Sequence, residues 1–216
     1  NYLGHSPDFV SQALRKQIPS GYEIGPQTPL AGETARMLCR MTGMERATFC
    51  NTGSEAVMAA MRVARTVTGR DRVVVFSGDY HGMFDSVLVR GVLRNGKPHT
   101  LPIAPGIPRG LIDDVTVLEY GADASLEWIA LVFDEVITGF RCHQGGAQAW
   151  FGVRADMATY GKVIGGGMPI GALAGSRKWM DALDGGHWNY GDDSIPEVGV
   201  TFFAGTFVRH PLAIAA

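Results

Sequence analysis

An α/β fold, with a mostly parallel sheet flanked by helices, is what three features of this sequence predict. Short Val-rich runs alternate with amphipathic stretches, and polar and glycine residues gather where the runs end. A chain of 216 residues at 46% hydrophobic content is also long enough to enclose a substantial core, as one domain or two small ones.

Taken in order, Glu33 to Met44 reads as a helix, because Leu30, Ala31, Thr34, Met37, Leu38 and Met41 recur at helical spacing and Gly43 ends the pattern. Arg46 to Cys50 is a short strand leading into Asn51-Thr52-Gly53-Ser54-Glu55, and Ala56 to Thr66 is a helix closed by Gly69. Arg72 to Phe76 is a continuous Val-rich run of the kind buried on both faces, ending in Ser77-Gly78-Asp79-Tyr80-His81-Gly82. Val115 to Glu119 and Ala130 to Phe133 are further strands, while Ser20 to Pro29 and Pro98 to Gly110 are Pro/Gly-rich loops. Pro211 to Ala216 opens an apolar helix, and together with the start at Asn1 it leads us to expect part of a longer polypeptide.

One connection is too short. About ten residues separate the strands at Val115 to Glu119 and Ala130 to Phe133, and they include a helix start, Asp123-Ala124-Ser125-Leu126-Glu127-Trp128, although a parallel crossover needs about 10–12 residues or more. Either the two strands are antiparallel neighbours or residues are omitted near Ile129-Ala130. Omission fits better, since a helix start running straight into a buried strand is locally inconsistent.

A net charge of -2 leaves no electrostatic footprint for nucleic acid. No apolar stretch approaches the roughly 20 residues of a membrane span, and the N-terminus lacks a secretory pattern, so a cytoplasmic protein is expected. Cys39, Cys50 and Cys142 fit a reducing compartment, and Cys142-His143 alone does not make a metal site.

The chemistry centres on an acid and a lysine. Asp134 closes the apolar run Ala130-Leu131-Val132-Phe133, where a carboxylate is costly unless it meets a cation. A protonated pyridine nitrogen is such a cation. Lys162 stands between Tyr160-Gly161 and Val163-Ile164, just before Gly165-Gly166-Gly167, and suits a Schiff base with an aldehyde; the pair is what pyridoxal phosphate (PLP) requires. By itself each residue reads more simply as a helix cap or salt-bridge acid and as a surface lysine. A nucleotide-binding phosphate loop is a weak alternative, because Val163, not Ser or Thr, follows Lys162, and so is a dinucleotide fingerprint, whose spacing fails. Gly53-Ser54-Glu55 at a helix N-terminus can cradle a phosphate, and Tyr80-His81-Gly82 offers an aromatic face, though ordinary capping and core packing explain these residues equally well.

In order, Asn51-Thr52-Gly53-Ser54-Glu55-Ala56, Tyr80-His81-Gly82, Phe133 to Arg141, Gly161 to Gly167 and Gly205-Thr206-Phe207 resemble class III aminotransferases of fold type I, glutamate-1-semialdehyde aminomutase among them. The resemblance implies a PLP-binding large domain over residues 33–216, preceded by an N-terminal segment and active-site loop at 1–32. It further implies that Lys162 carries the cofactor, Asp134 binds its pyridine nitrogen, Gly53 and Ser54 hold its phosphate, and Tyr80 and Val136 cover the ring faces. His81 would belong to the same cofactor site, and Thr206 would reach the phosphate of the neighbouring subunit's cofactor in a homodimer.

A narrower resemblance lies in Ile18 to Gln27, Trp188 to Asp193 and Thr201 to Phe207, which are similar to aminotransferase domains of hybrid polyketide/nonribosomal peptide synthases. It implies amino transfer from an amino acid, glutamine or glutamate, to a β-ketoacyl thioester on an acyl carrier protein. The alternatives are a glutamate-1-semialdehyde-type aminomutase and a free-standing ω-aminotransferase. Three departures stand out: the family's Glu-Pro strand between Ile129 and Ala130 is missing, so is the C-terminal small domain, and His210 replaces an Asn.

Overall fold

The computed structural model describes residues 2–22, 28–121, 130–189 and 191–216. In chain order its elements are α1 (Asp8–Gln17), α2 (Pro29–Thr42), β1 (Arg46–Cys50), α3 (Gly53–Thr68), β2 (Val73–Phe76), β3 (Val89–Arg94), β4 (Lys97–Pro102) and β5 (Val115–Leu118), then β6 (Val132–Asp134), α4 (Gly146–Trp150), β7 (Met157–Gly161), β8 (Gly171–Gly175), α5 (Arg177–Met180) and α6 (Pro211–Ala215). They form two compact units, one of Asn1–Val67 with Ala130–Ala216, the other of Thr68–Ile129.

The first unit is a four-stranded sheet in the order β1-β8-β7-β6. β6 runs parallel to β7, while β8 is antiparallel to both β7 and β1, so β1, β6 and β7 share one direction and β8 opposes them. The reversal follows from length: Lys162 to Ile170 is too short to carry a parallel crossover. On one face, Phe49, Ala158, Tyr160, Ala172 and Ala174 pack with Leu38 of α2 and Ile214 of α6. On the other, Met157 and Leu173 pack with Ala59, Ala60 and Val63 of α3 and with Trp179 of α5. Alternate residues of each strand face opposite layers, as the pleat requires.

The helix ends are set locally. α2 begins four residues before its predicted start, because the Thr28 side chain accepts the Leu30 N–H and Pro29 occupies a position with no N–H to satisfy; it ends on left-handed Gly43. α6 is capped by His210, whose Nδ1 accepts the Leu212 N–H at 3.3 Å, the work an Asn side chain does at that position.

In the second unit β2 and β5 are parallel, with Val75, Val115 and Val117 as a small core. The predicted loop from Pro98 to Gly110 is corrected: its first part is β4, paired antiparallel with β3 across Asn95-Gly96, both left-handed. Among the described residues β5 pairs with β2 and β6 with β7. The helix start at 123–128 and the junction at Ile129 lie outside the described residues, as do Glu23 to Gln27 and Tyr190 of the narrower motifs.

Candidate active site

The parallel strands of the first unit end on one edge of the sheet. Cys50 and Gly161 are both paired with Gly171, and Asp134 is level with Thr159, two residues short of Gly161. Just past these ends come the α3 N-terminus, the Glu135–Gly139 turn and Lys162. Ligands of open α/β sheets bind at such edges.

Three segments touch there through a single side chain. A Cβ on Gly53 would lie 3.0 Å from both Val136 methyls, and one on Gly161 would lie 3.3 Å from Val136 Cγ1 and 3.8 Å from Gly53 Cα. A Cβ on Gly171 would fall 2.0 Å from the Thr52 carbonyl oxygen, so glycine alone lets the α3 turn seat against β8. Val136 thus lies among the residues that precede Ser54 and Lys162 and follow Asp134.

The α3 N-terminus is a capping box. The Glu55 N–H donates to Thr52 Oγ1 at 3.1 Å and the Ala56 N–H to the Thr52 carbonyl at 3.1 Å, while the Glu55 carboxylate reaches back to the Asn51 N–H at 2.7 Å. Those amides are consumed within the cap. Gly53 and Ser54, at the positive end of a 16-residue helix, are placed to meet an anion.

Asp134 is half-buried, since β6 is the outermost strand of its sheet among the described residues; the expectation of a buried strand is corrected here. Its Oδ1 accepts the Thr159 hydroxyl at 3.1 Å and the Val136 N–H at 3.2 Å. The next residue, Glu135, is 1% exposed, and its carboxylate accepts the Ala147 and Gln148 N–H groups at 2.9 Å each and the Thr138 hydroxyl. These bonds clamp the turn that follows Asp134 to the start of α4. Below it Tyr160 is fully buried; its hydroxyl accepts from Gln148 Nε2 at 3.1 Å, and burial raises the phenol above its ordinary range.

Lys162 is exposed and takes a left-handed φ of 48°. A non-glycine residue held there stores strain of about 1–3 kcal/mol, and such positions concentrate at functional sites. Only part of the glycine cluster faces this edge. Gly161 does, whereas a Cβ on Gly165 would meet Ile170 at 2.7 Å and one on Gly166 would meet Val10 and the Ala216 carbonyl at 2.9 Å, so those two seat the turn on neighbouring protein.

Among the sequence-derived candidates, Gly53, Ser54, Asp134, Val136 and Lys162 gather at this edge. Thr206 is exposed in the same unit, directly after Gly205, whose Cβ would lie 3.8 Å from Asn51 Nδ2. Tyr80 and His81 belong to the second unit. There Tyr80 is 66% exposed, His81 Nε2 lies 3.9 Å from Asp79 Oδ2, and Tyr120 donates to Asp79 at 2.6 Å while stacking on Phe76. Sequence reasoning missed Glu135 and Thr159; the first adjoins Asp134 in plain view, but the second needs the β6–β7 register. Among the described residues no cluster could hold a metal ion, and no helix is long and apolar enough to cross a membrane.

The chain matches the family model described as Aminotransferase class-III over residues 1–128 and 122–216. It is 37% identical over 260 residues to a glutamate-1-semialdehyde 2,1-aminomutase of Alkaliphilus oremlandii, covering 99% of this chain and 58% of that relative. Among solved structures it is similar to an omega-transaminase from Sphaerobacter thermophilus, with a TM-score of 0.85, 28% identity, and coverage of 98% of this chain and 57% of the other. It is also similar to a transaminase with PLP bound, with a TM-score of 0.81, 26% identity, and coverage of 98% and 57%. The chain therefore spans a little over half the length of these proteins.

Proposed function

The chain belongs to the class III aminotransferases, and we propose that it is the cofactor-binding part of a PLP-dependent aminotransferase that moves an amino group from an amino acid to a β-ketoacyl chain on a carrier protein. The observation that carries the reading is the meeting of Gly53, Val136 and Gly161 at one sheet edge, with Asp134 and Lys162 immediately beyond.

The residues at this edge fit PLP. Asp134 offers an oriented carboxylate to a pyridine nitrogen, the Gly53 and Ser54 amides offer donors to a phosphate, Val136 an apolar surface to a ring and Lys162 an amine to an aldehyde. Beta-carbons at Gly53 and Gly161 would crowd the Val136 side chain that covers the ring. When bound, PLP supplies an electron sink for negative charge on the carbon that gains or loses the amino group. Asp134 keeps the ring nitrogen protonated by holding a negative charge beside it. Lys162 Nζ would hold the cofactor's aldehyde and, once freed, would be the base that removes the proton from Cα of the donor and, in the second half-reaction, delivers a proton to the acceptor carbon that receives the amino group. Tyr80 and His81 are assigned to cofactor binding by the motif they form. Thr206, exposed beside the α3 turn, is assigned to the phosphate held by a neighbouring subunit, which makes a homodimer the working form.

The two family matches overlap only at residues 122–128, and the relative aligns over 260 residues against a chain of 216, which supports omitted residues near Ile129-Ala130. The three cysteines support a cytoplasmic location.

The carrier-bound substrate is supported by the motifs at Ile18 to Gln27, Trp188 to Asp193 and Thr201 to Phe207. A second reading, an aminomutase or a free-standing ω-aminotransferase, is favoured by the 37% identical relative. Intact-mass analysis separates them. With glutamine or glutamate as donor, a β-ketoacyl carrier protein is expected to gain an amino group and release one keto acid per turnover. An unchanged carrier, with turnover of small free keto acids or of an amino aldehyde alone, establishes the second reading instead.

A further inference from the structure

We propose that Thr159 is a positioning residue, a buried hydroxyl that fixes the Asp134 carboxylate against its cationic partner. The proposal rests on the cofactor reading above.

Thr159 is fully buried near the end of β7, on the sheet face where Met157 and Leu173 pack against α3. A hydroxyl in that apolar layer needs a partner. It finds one through register: β6 and β7 are parallel with Asp134 level with Thr159, and the hydroxyl donates to Asp134 Oδ1 at 3.1 Å. The Thr159 carbonyl meanwhile accepts the Glu135 N–H at 2.9 Å, so the same residue fixes both the carboxylate and the backbone that carries it. The Val136 N–H, 3.2 Å from the same Oδ1, adds a second donor. With one carboxylate oxygen held twice, the side chain has lost the rotational freedom that would otherwise have to be frozen when a pyridinium binds. Glu135, buried and bonded to α4, keeps the turn from drifting.

Thr159→Val keeps the branched shape and removes the donor, whereas Thr159→Ser keeps the donor. The readouts are PLP affinity by absorbance titration, the pH midpoint of the bound cofactor's visible band, and the melting of cofactor-free protein. Thr159→Val is expected to weaken PLP binding by about tenfold and to move the pH midpoint, with Thr159→Ser close to wild type. In an Asp134→Asn background Thr159→Val should add no further loss. The proposal is overturned if Thr159→Val binds PLP like wild type while Asp134→Asn does not, if Thr159→Ser is as weak as Thr159→Val, or if the loss persists in full in the Asp134→Asn background. If Asp134→Asn itself binds like wild type, it is the underlying cofactor reading that fails. Should Thr159→Val not fold, Thr159→Cys, a weaker donor, takes its place: an intermediate affinity supports the proposal and a wild-type affinity overturns it.

Discussion

Where β1 begins, Arg46 is held by Asp181 and Asp184, Glu45 accepts the Arg177 N–H at 2.7 Å, and Asp156 accepts the Trp179 indole and the Leu131 N–H at 3.0 and 2.8 Å. At the opposite edge of the same sheet, where β1, β6 and β7 end, Lys162 is exposed and sits in a left-handed conformation. Glycines there admit contacts that a Cβ would block. The first edge satisfies its charges from within the chain. The second holds an amine, a carboxylate and a helix N-terminus in place at some cost in strain, which is how binding sites are built from otherwise ordinary sheets.

The contrast can be broken most forcefully at Gly171. Gly171→Ala puts a methyl 2.0 Å from the Thr52 carbonyl oxygen, and chemical denaturation should show a loss of about 3 kcal/mol or more, whereas Gly110→Ala, with open space around it, should cost almost nothing. Equal stability of the two variants would mean that the α3 turn is not seated on β8.

Next in size is a pH effect. Burial first, then the Glu55 charge, pushes the Cys50 thiol up to about 12. An ordinary thiol titrates near about 8.5, so the folded chain binds this proton more tightly than the unfolded chain. The contribution is complete below the unfolded pKa and is lost as pH rises toward the folded one. By about pH 10 the loss is about 2 kcal/mol. Cys50→Ala should flatten that part of the stability curve, and an unaltered slope would count against the burial of this thiol.

A smaller effect sharpens the claim of strain. Lys162→Gly should be more stable than Lys162→Ala by about 1 kcal/mol, because glycine takes the left-handed region freely. The reverse order would place Lys162 in relaxed backbone. Smallest is Arg46→Ala, a partly exposed ion pair worth about 1 kcal/mol or less. It should leave cofactor affinity unchanged, and a change would show that the two edges are coupled.

Much of this architecture could be read from the chain. β1 matches its predicted bounds and β2 and β5 differ by a residue; the latter two are Val-rich runs bounded by glycine or charge, which have few other uses. β7 and β8 were not visible. Met-Ala-Thr-Tyr-Gly is too short and mixed to stand out, and Gly-Ala-Leu-Ala-Gly has little β-propensity and is a strand because small residues are what fit there. A Cβ on Gly175, for instance, would lie 2.8 Å from Asp156 O and Met157 Cγ. The β3–β4 hairpin did have a signal, Asn95-Gly96, masked by the prolines around it. In the candidate site, Asp134 and Lys162 stood out in the sequence as an acid closing an apolar run and a lysine just ahead of a glycine cluster. Thr159 did not, since its hydroxyl meets Asp134 only across a register that no local pattern encodes. The strain at Lys162 was hidden for a similar reason, because it depends on the fold of the turn that follows.

We propose that Lys162 Nζ is the amine that holds PLP. Borohydride reduction of the PLP-loaded protein, followed by peptide mass mapping, tests it directly. We predict one reduced cofactor per chain on the peptide containing Lys162, and none at that stoichiometry in Lys162→Ala. Label spread over Lys16, Lys97 and Lys178, unchanged by the substitution, would show that Lys162 does not hold the cofactor.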